Sequence, residues 1–230
     1  MADNTDKATT HGRLPLEATP GIIHDSGADP RWKYIQLQDL DPEALEKLPP
    51  TIAIIFIVPS SPRYNTHVQQ EQARLAKLEQ SISPNVIFFK QTKQKACGMI
   101  ALLHSLANNE DDVVGPGALH DFLEKSTSMS PDERTEWLQQ SDELQILHDG
   151  AVAAGHMEME DLDQSHTDFH YVCFVEVDDH LYELDGRRPL PINHGKAKNV
   201  VQGATKIIQQ YLAIDPDQRN LSIIALVDSK

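Results

Sequence analysis

The chain has 230 residues, 40% of them hydrophobic, with 35 acidic against 20 basic side chains and a net charge of −15. It is long enough to bury a core without staples, and its charge disfavours nucleic acid and anionic membrane surfaces while favouring a basic partner. Two cysteines, a polar acidic start and a longest apolar run of only Ile52 to Pro59 argue against a disulfide scaffold, a signal peptide and a membrane span; the expectation is a monomer in the cytosol, with the nucleus as the alternative.

Residues 1–12 read as a disordered segment ahead of a single domain over 13–230. Asp39 to Lys47 reads as a short helix, with Asp41 as N-cap and Pro42 at the first helical position. Thr51 to Val58 is β-branched and apolar without alternation, as in a central strand covered on both faces. Val68 to Ser81 reads as a polar helix. Asn85 to Lys90 reads as a second buried strand, feeding into Gln91-Thr-Lys-Gln-Lys-Ala-Cys97-Gly98 and an apolar helix pattern. Gly117 to Glu124 and Ser130 to Gln145 read as helices, the second opened by Ser130 as N-cap, Pro131 at N1 and Glu133 at N3. Residues 149–168 lose all periodicity, and a loop of that length in a compact domain reads as a lid, a binding loop or disorder. His170 to Val177 and His180 to Asp185 flank Asp178-Asp179 as a β-hairpin. Val200 to Leu212 reads as a helix and Ser222 to Val227 as a closing strand. An α/β content joined through a hairpin predicts an antiparallel or mixed sheet with helices on both faces.

Chemistry enters at Cys97, which the pattern places at a helix N-terminus, where free amides and the helix dipole favour a thiolate. Gln91 can offer a side-chain N–H to a developing oxyanion, together with the Cys97 backbone N–H. His104 lies about 10 Å along the same helix, too far to serve as a base, and reads as structural. The hairpin supplies the rest. With a two-residue turn, His170 and Asp185 project from the same face and sit diagonally, about 5–8 Å apart, within reach of an imidazole and a carboxylate. Taken singly, a cysteine beside a glycine is more often a packing residue, a histidine at a strand start structural, and Asp185-Gly186 a turn. Jointly, in the order Cys, His, Asp with a glutamine ahead, they read as a thiol hydrolase. Cys173 shares the other ribbon face and reads as a buried inert thiol. The histidines His148, His156, His166 and His170 lack metal-ligand spacing, so neither a metal nor a cofactor is expected.

Gln91…Ala96-Cys97-Gly98…His104…Ala107-Asn108-Asn109, Asp168-Phe169-His170-Tyr171 and Leu181-Tyr-Glu-Leu-Asp185-Gly-Arg-Arg-Pro189…Pro191-Ile-Asn-His-Gly195 together resemble the ubiquitin carboxyl-terminal hydrolases, a family of papain-like cysteine peptidases, in a short single-domain form. Leu14-Pro15-Leu16-Glu17 and Ser126 to Arg134 are similar as well. Arg13 stands where relatives carry a tryptophan, and the Pro20 to Trp32 region is shorter than theirs. The resemblance implies an α/β fold with a helix-flanked, mostly antiparallel sheet and a knotted backbone. It implies a deubiquitinating thiol hydrolase that frees small adducts or peptides from the C-terminal glycine of ubiquitin or a ubiquitin-like protein. It assigns Cys97 as nucleophile, His170 as general base and acid, Asp185 as its orienting partner and Gln91 as oxyanion donor, with the crossover loop from about Asp149 to Asp168 limiting what reaches the site.

Overall fold

The computed structural model describes residues 29–92, 97–109, 113–141, 169–217 and 221–230. The N-terminal segment, the Leu14 to Glu17 motif, the crossover loop over 149–168, His148, His156 and His166 lie outside the described residues, and with them the chain path on which a knot depends.

The elements run β1 (Trp32–Leu37), α1 (Pro42–Leu45), β2 (Thr51–Pro59), α2 (Pro62–Leu75), α3 (Cys97–Ala107), α4 (Ala118–Thr127), α5 (Pro131–Gln140), β3 (Phe169–Val177), β4 (His180–Leu184), β5 (Ile192–Lys196), α6 (Val200–Ile214) and β6 (Ser222–Asp228). One six-stranded sheet has the order β1-β6-β2-β3-β4-β5, with every neighbouring pair antiparallel.

β2 explains why the sheet has two covered faces. Its alternate residues Ala53, Ile55 and Ile57 pack with α3, α4 and Tyr171, Cys173 and Val175 of β3. Ile54, Phe56 and Val58 pack on the other side with Tyr64 of α2, Ala204, Ile208 and Tyr211 of α6, and Val172 and Phe174 of β3. The period of two thus splits one apolar run between two cores, and each fully buried Ile or Phe contributes about 1.5–3 kcal/mol to holding them.

Local signals account for most helix starts. Asp41 caps α1 and Pro42 opens it. Ser130 and Glu133 form a reciprocal capping box on α5. The Ser61 side chain accepts from the Tyr64 N–H and Pro62 opens α2, so this helix begins six residues before Val68. The same Ser-Pro signature marks both α2 and α5. β1 and β5 are the two sheet edges and lay outside the predicted elements. The hairpin turn has left-handed backbone at Asp178 and Asp179, with φ of 51° and 63°, where glycine would be easier. The Asp178 carboxylate is held by the Ser83 hydroxyl and by the Asn85 amide at 3.1 Å, which helps fix the turn.

Asn85 to Lys90 is not a strand. Val86 to Phe89 are buried, but among the described residues no strand pairs with them; side chains from the neighbouring helices take that place. The Asn108 amide accepts from the Ile87 N–H and donates to the Ile87 C=O, each at 2.9 Å. His104 Nε2 accepts from the Phe89 N–H at 3.0 Å, and Thr135 Oγ1 accepts from the Lys90 N–H at 3.0 Å. Main-chain polarity must be satisfied when buried, and here α3, the residue that follows it and α5 do it. His104 is therefore structural and wholly buried.

Burial lowers the His104 pKa to about 4, against partial opposition from the Phe89 backbone, Asp185 and the Leu184 backbone. A base whose folded pKa is depressed is protonated first in the unfolded chain. Its contribution is thus complete above the ordinary value of 6.5 and is lost as pH falls towards 4, a loss of about 3 kcal/mol. Urea unfolding at a series of pH values should show this acid slope in the native protein and a flatter one in His104→Gln. Equal slopes would remove His104 as its source.

Candidate active site

Cys97 is the first residue of α3, as its sequence context requires, and is 7% exposed. Its Sγ makes a long hydrogen bond, 3.9 Å, to the Phe169 carbonyl at the start of β3. The approach does not depend on glycine at 98, since a Cβ there would lie 3.6 Å from the Tyr171 ring, ordinary contact.

His170 follows Phe169 and is buried. Its Nε2 lies 2.8 Å from Asp185 Oδ1, and the imidazole is packed against the Tyr64 ring at 6.2 Å. Both ring nitrogens are buried, and among the described residues neither completes a hydrogen bond; Nε2 has the Asp185 carboxylate at ion-pair distance, whereas Nδ1 has no such neighbour. Continued past its end, the register Val177↔His180 through Cys173↔Leu184 sets residue 170 opposite 187 and diagonal to 185, as the hairpin parity predicted.

Asp185 sits just past the end of β4 and is 1% exposed. Oδ1 accepts from the Arg187 N–H at 2.8 Å, and Oδ2 faces Arg188 Nε at 3.6 Å. Burial alone would raise its pKa, but His170, the Arg187 N–H and Arg188 outweigh it and hold the carboxyl below the usual range. The neighbouring Gly186 accepts from the Gln91 N–H at 2.8 Å. A Cβ at Gly186 would meet Ile100 Cγ2 at 2.9 Å and Gln91 N at 3.2 Å, so only glycine lets the segment carrying Gln91 lie against the Asp185 turn.

Two carbonyl contacts thus gather the four residues. Gln91 is tied to the residue after Asp185, and Cys97 to the residue before His170. The pleat adds a refinement absent from the sequence reading. Phe169 and Tyr171 face the α3 side of the sheet, whereas His170 faces the α2 and α6 side with Tyr64. Thiol and imidazole therefore flank the end of β3, where Phe169 pairs with Pro59 and the ladder stops. Among the described residues the thiol bonds to a carbonyl and not to the imidazole.

The thiol's electrostatics differ from expectation accordingly. Burial pushes the Cys97 pKa up; Arg187 and the Gly98 and Cys97 amides pull it down without winning, and Asp185 adds to the rise. The helix-terminus effect is present, but desolvation exceeds it. In the protein without substrate, Cys97 alkylation by iodoacetamide, followed by mass spectrometry, should keep rising with pH beyond the point where a free thiol levels off. A plateau near neutrality would reveal a thiolate already formed. Cys173, wholly buried and pushed up by burial, should stay unmodified.

The sequence reading left out the residues behind Asp185: Arg188, Glu183, Glu71 and Tyr211. A glutamate two places after Leu181, on the same face of a buried strand, was the available signal; Glu71 and Tyr211 come from helices remote in the chain and gave none. Among the described residues, His120, Asp121 and Glu124 bring possible ligand atoms within 4.8 Å of one another, but this is one turn of solvent-facing helix far along the chain from Cys97.

Residues 14–213 match the family described as ubiquitin carboxyl-terminal hydrolase, family 1. The chain is 32% identical over 219 residues to a ubiquitin carboxyl-terminal hydrolase of Drosophila melanogaster, covering 92% of this chain and 96% of the relative. It is 30% identical over 225 residues to the human ubiquitin carboxyl-terminal hydrolase isozyme L1, with the same coverage. In fold it is similar to the Trichinella spiralis UCH37 catalytic domain solved bound to ubiquitin vinyl methyl ester, with a TM-score of 0.72, 22% identity, and 98% and 97% of the two chains covered.

Proposed function

The chain belongs to family 1 of the ubiquitin carboxyl-terminal hydrolases and is a cysteine-type hydrolase; from that premise we infer that it releases small adducts or peptides from the C-terminal glycine of ubiquitin. Cys97 is the nucleophile, His170 the base and then the acid, Asp185 the group that orients His170, and Gln91 an oxyanion donor. The observation that carries this reading is the buried contact of 2.8 Å between His170 Nε2 and Asp185 Oδ1. A proton on Nε2 is the one that carboxylate favours, which leaves the lone pair on Nδ1 to act as the base.

The geometry also supports a sequence of events. In the substrate-free protein the thiol is protonated and the imidazole lies round the end of β3. Reaction needs Nδ1 to swing past that strand end and take the thiol proton. The sulfur then attacks the glycine carbonyl, and the oxyanion is received by the Cys97 N–H and the Gln91 side chain. His170 returns the proton to the leaving amine, and water releases the acyl group by the same steps in reverse. Ubiquitin binding is the natural source of energy for the movement, since a ligand shifts a conformational balance only by favouring one side of it.

The test is direct. The protein should hydrolyse a fluorogenic amide of the ubiquitin C-terminus and be labelled at Cys97 by ubiquitin vinyl methyl ester. Binding without hydrolysis would make it a ubiquitin-sequestering module instead. Faster turnover of a ubiquitin-like modifier's amide would move the substrate to that class. Two free cysteines suit a reducing compartment, the cytosol or the nucleus.

Charge bears on rate. Ubiquitin's tail and binding face are basic, and this chain carries −15. Electrostatic steering raises encounter rates and is screened by salt. The kcat/KM for the ubiquitin amide should fall several-fold between about 20 mM and 500 mM salt, with kcat little changed. A flat salt profile would end the steering argument.

A further inference from the structure

Behind Asp185, on the side away from the thiol, lies a buried cluster of charge for which the steps above have no use. Arg188 is 3% exposed. Its guanidinium meets Glu71 Oε2 at 2.6 Å, Glu183 Oε1 at 3.6 Å and Asp185 Oδ2 at 3.6 Å. The Tyr211 hydroxyl donates to Glu183 Oε1 at 2.7 Å and receives a hydrogen bond from Arg188 at 3.3 Å. The remaining titratable groups on the cluster come from every element packed there. His194 of β5 lies 2.9 Å from Glu183 Oε2. Tyr64 and His67 of α2 have their rings 5.6 Å from that of Tyr211. Arg74 of α2 reaches Glu71 at 4.0 Å. His170 and Arg187 touch Asp185 itself.

Such a cluster is a poor way to gain stability. Desolvating several charges costs about as much as their attraction returns, and packed apolar groups serve as well. Its geometry points at the carboxylate. Asp185 has two oxygens with separate tasks: Oδ1 takes His170 and the Arg187 N–H, and Oδ2 has only Arg188. Neither Oδ2 nor Arg188 Nε has a hydrogen-bond partner among the described residues, and the two atoms face each other. Arg188 cannot drift, because Glu71 holds it from α2, Tyr211 from α6 and Glu183 from β4.

We propose that Arg188, gripped by Glu71, Glu183 and Tyr211, is a positioning residue for the Asp185–His170 pair: it anchors the second carboxylate oxygen and sets the potential in which His170 gains and loses its proton. This rests on the reading of His170 as the base. The physics gives each partner a sign. Removing the cation leaves two buried carboxylates and the partly exposed Glu71 together and makes protonated His170 easier to form. Removing Glu71 strengthens the cation's net effect and makes it harder.

The experiment is an NMR titration of His170 in the full chain, assigned by its loss in His170→Ala, alongside the pH profile of kcat/KM for the ubiquitin amide. Arg188→Gln should move the His170 pKa, and the acid limb of the profile with it, up by about one unit. Glu71→Gln should move both down by a smaller step. Arg188→Lys should return both towards the native values. Loss of activity at every pH with an unmoved His170 titration would overturn the proposal, as would shifts of the same sign in Arg188→Gln and Glu71→Gln. Should Arg188→Gln fail to fold, Glu71→Gln carries the sign test, because that carboxylate sits at the partly exposed end of the cluster, 15% accessible. The titration needs no turnover, so it distinguishes failure of this proposal from failure of the ubiquitin assignment.

Discussion

Cys97→Ala is expected to reduce ubiquitin-amide hydrolysis by more than about 10⁴-fold while leaving the affinity for ubiquitin within error of the native value. The two halves of this result test different statements. The thiol donates only a long hydrogen bond, 3.9 Å, to the Phe169 carbonyl, and the side chain is small, so alanine leaves little void and forfeits little. Folding and the binding surface should therefore survive. Steady-state hydrolysis gives the first half and calorimetric titration with ubiquitin the second. Residual turnover near the native rate would remove Cys97 as nucleophile. Loss of binding together with turnover would mean that the thiol is part of the fold.

Asp185→Asn is the second large effect, expected at about 10³–10⁴-fold in kcat. The substitution is nearly isosteric, yet nothing in the surroundings suits an amide. Oδ1 faces two donors, His170 Nε2 and the Arg187 N–H, and Oδ2 faces the Arg188 guanidinium. An asparagine with its oxygen towards His170 points its NH₂ at Arg188. Turned over, it points the NH₂ at two N–H groups. Either way a buried donor meets a donor, and in the second orientation the NH₂ facing Nε2 puts the His170 proton on Nδ1, the wrong nitrogen for a base. The fold should also lose about 3–5 kcal/mol, the usual cost of leaving one partner of a buried ion pair alone. Kinetics should be read well below the lowered melting point, where a merely unstable variant would regain its kcat and a mis-oriented one would not.

The hairpin was the most legible part of the site. A two-residue turn fixes register, register fixes parity, and parity alone brought His170 to Asp185. The start of α3 at Cys97 was legible for a similar reason: a polar approach followed by an apolar run is a local signal. What the sequence withheld was spatial. Strand parity says on which face His170 lies but nothing about which face α3 covers, so the division of thiol and imidazole around the end of β3 could not be read. Nor could the balance at Cys97, because the helix terminus is encoded locally whereas burial is a property of the assembled core. Asn85 to Lys90 misled for the converse reason. An apolar extended run looks alike whether its amides bond to a neighbouring strand or to side chains, and only the positions of His104, Asn108 and Thr135 distinguish the two. Arg188 lay in plain view beside Asp185, but its partners Glu71 and Tyr211 are 117 and 23 residues away.

That suspended stretch alters how the protein should tolerate change. His104 and Thr135 lie on the inner sides of two helices and Asn108 just past the end of one, where protein engineers would ordinarily exchange shape for shape. Each instead answers for a main-chain group on the strap leading to Gln91, so a leucine or valine of matching volume would strand an amide in a dry interior. Redesign of this region must conserve chemistry before size, although none of the three side chains takes part in the reaction.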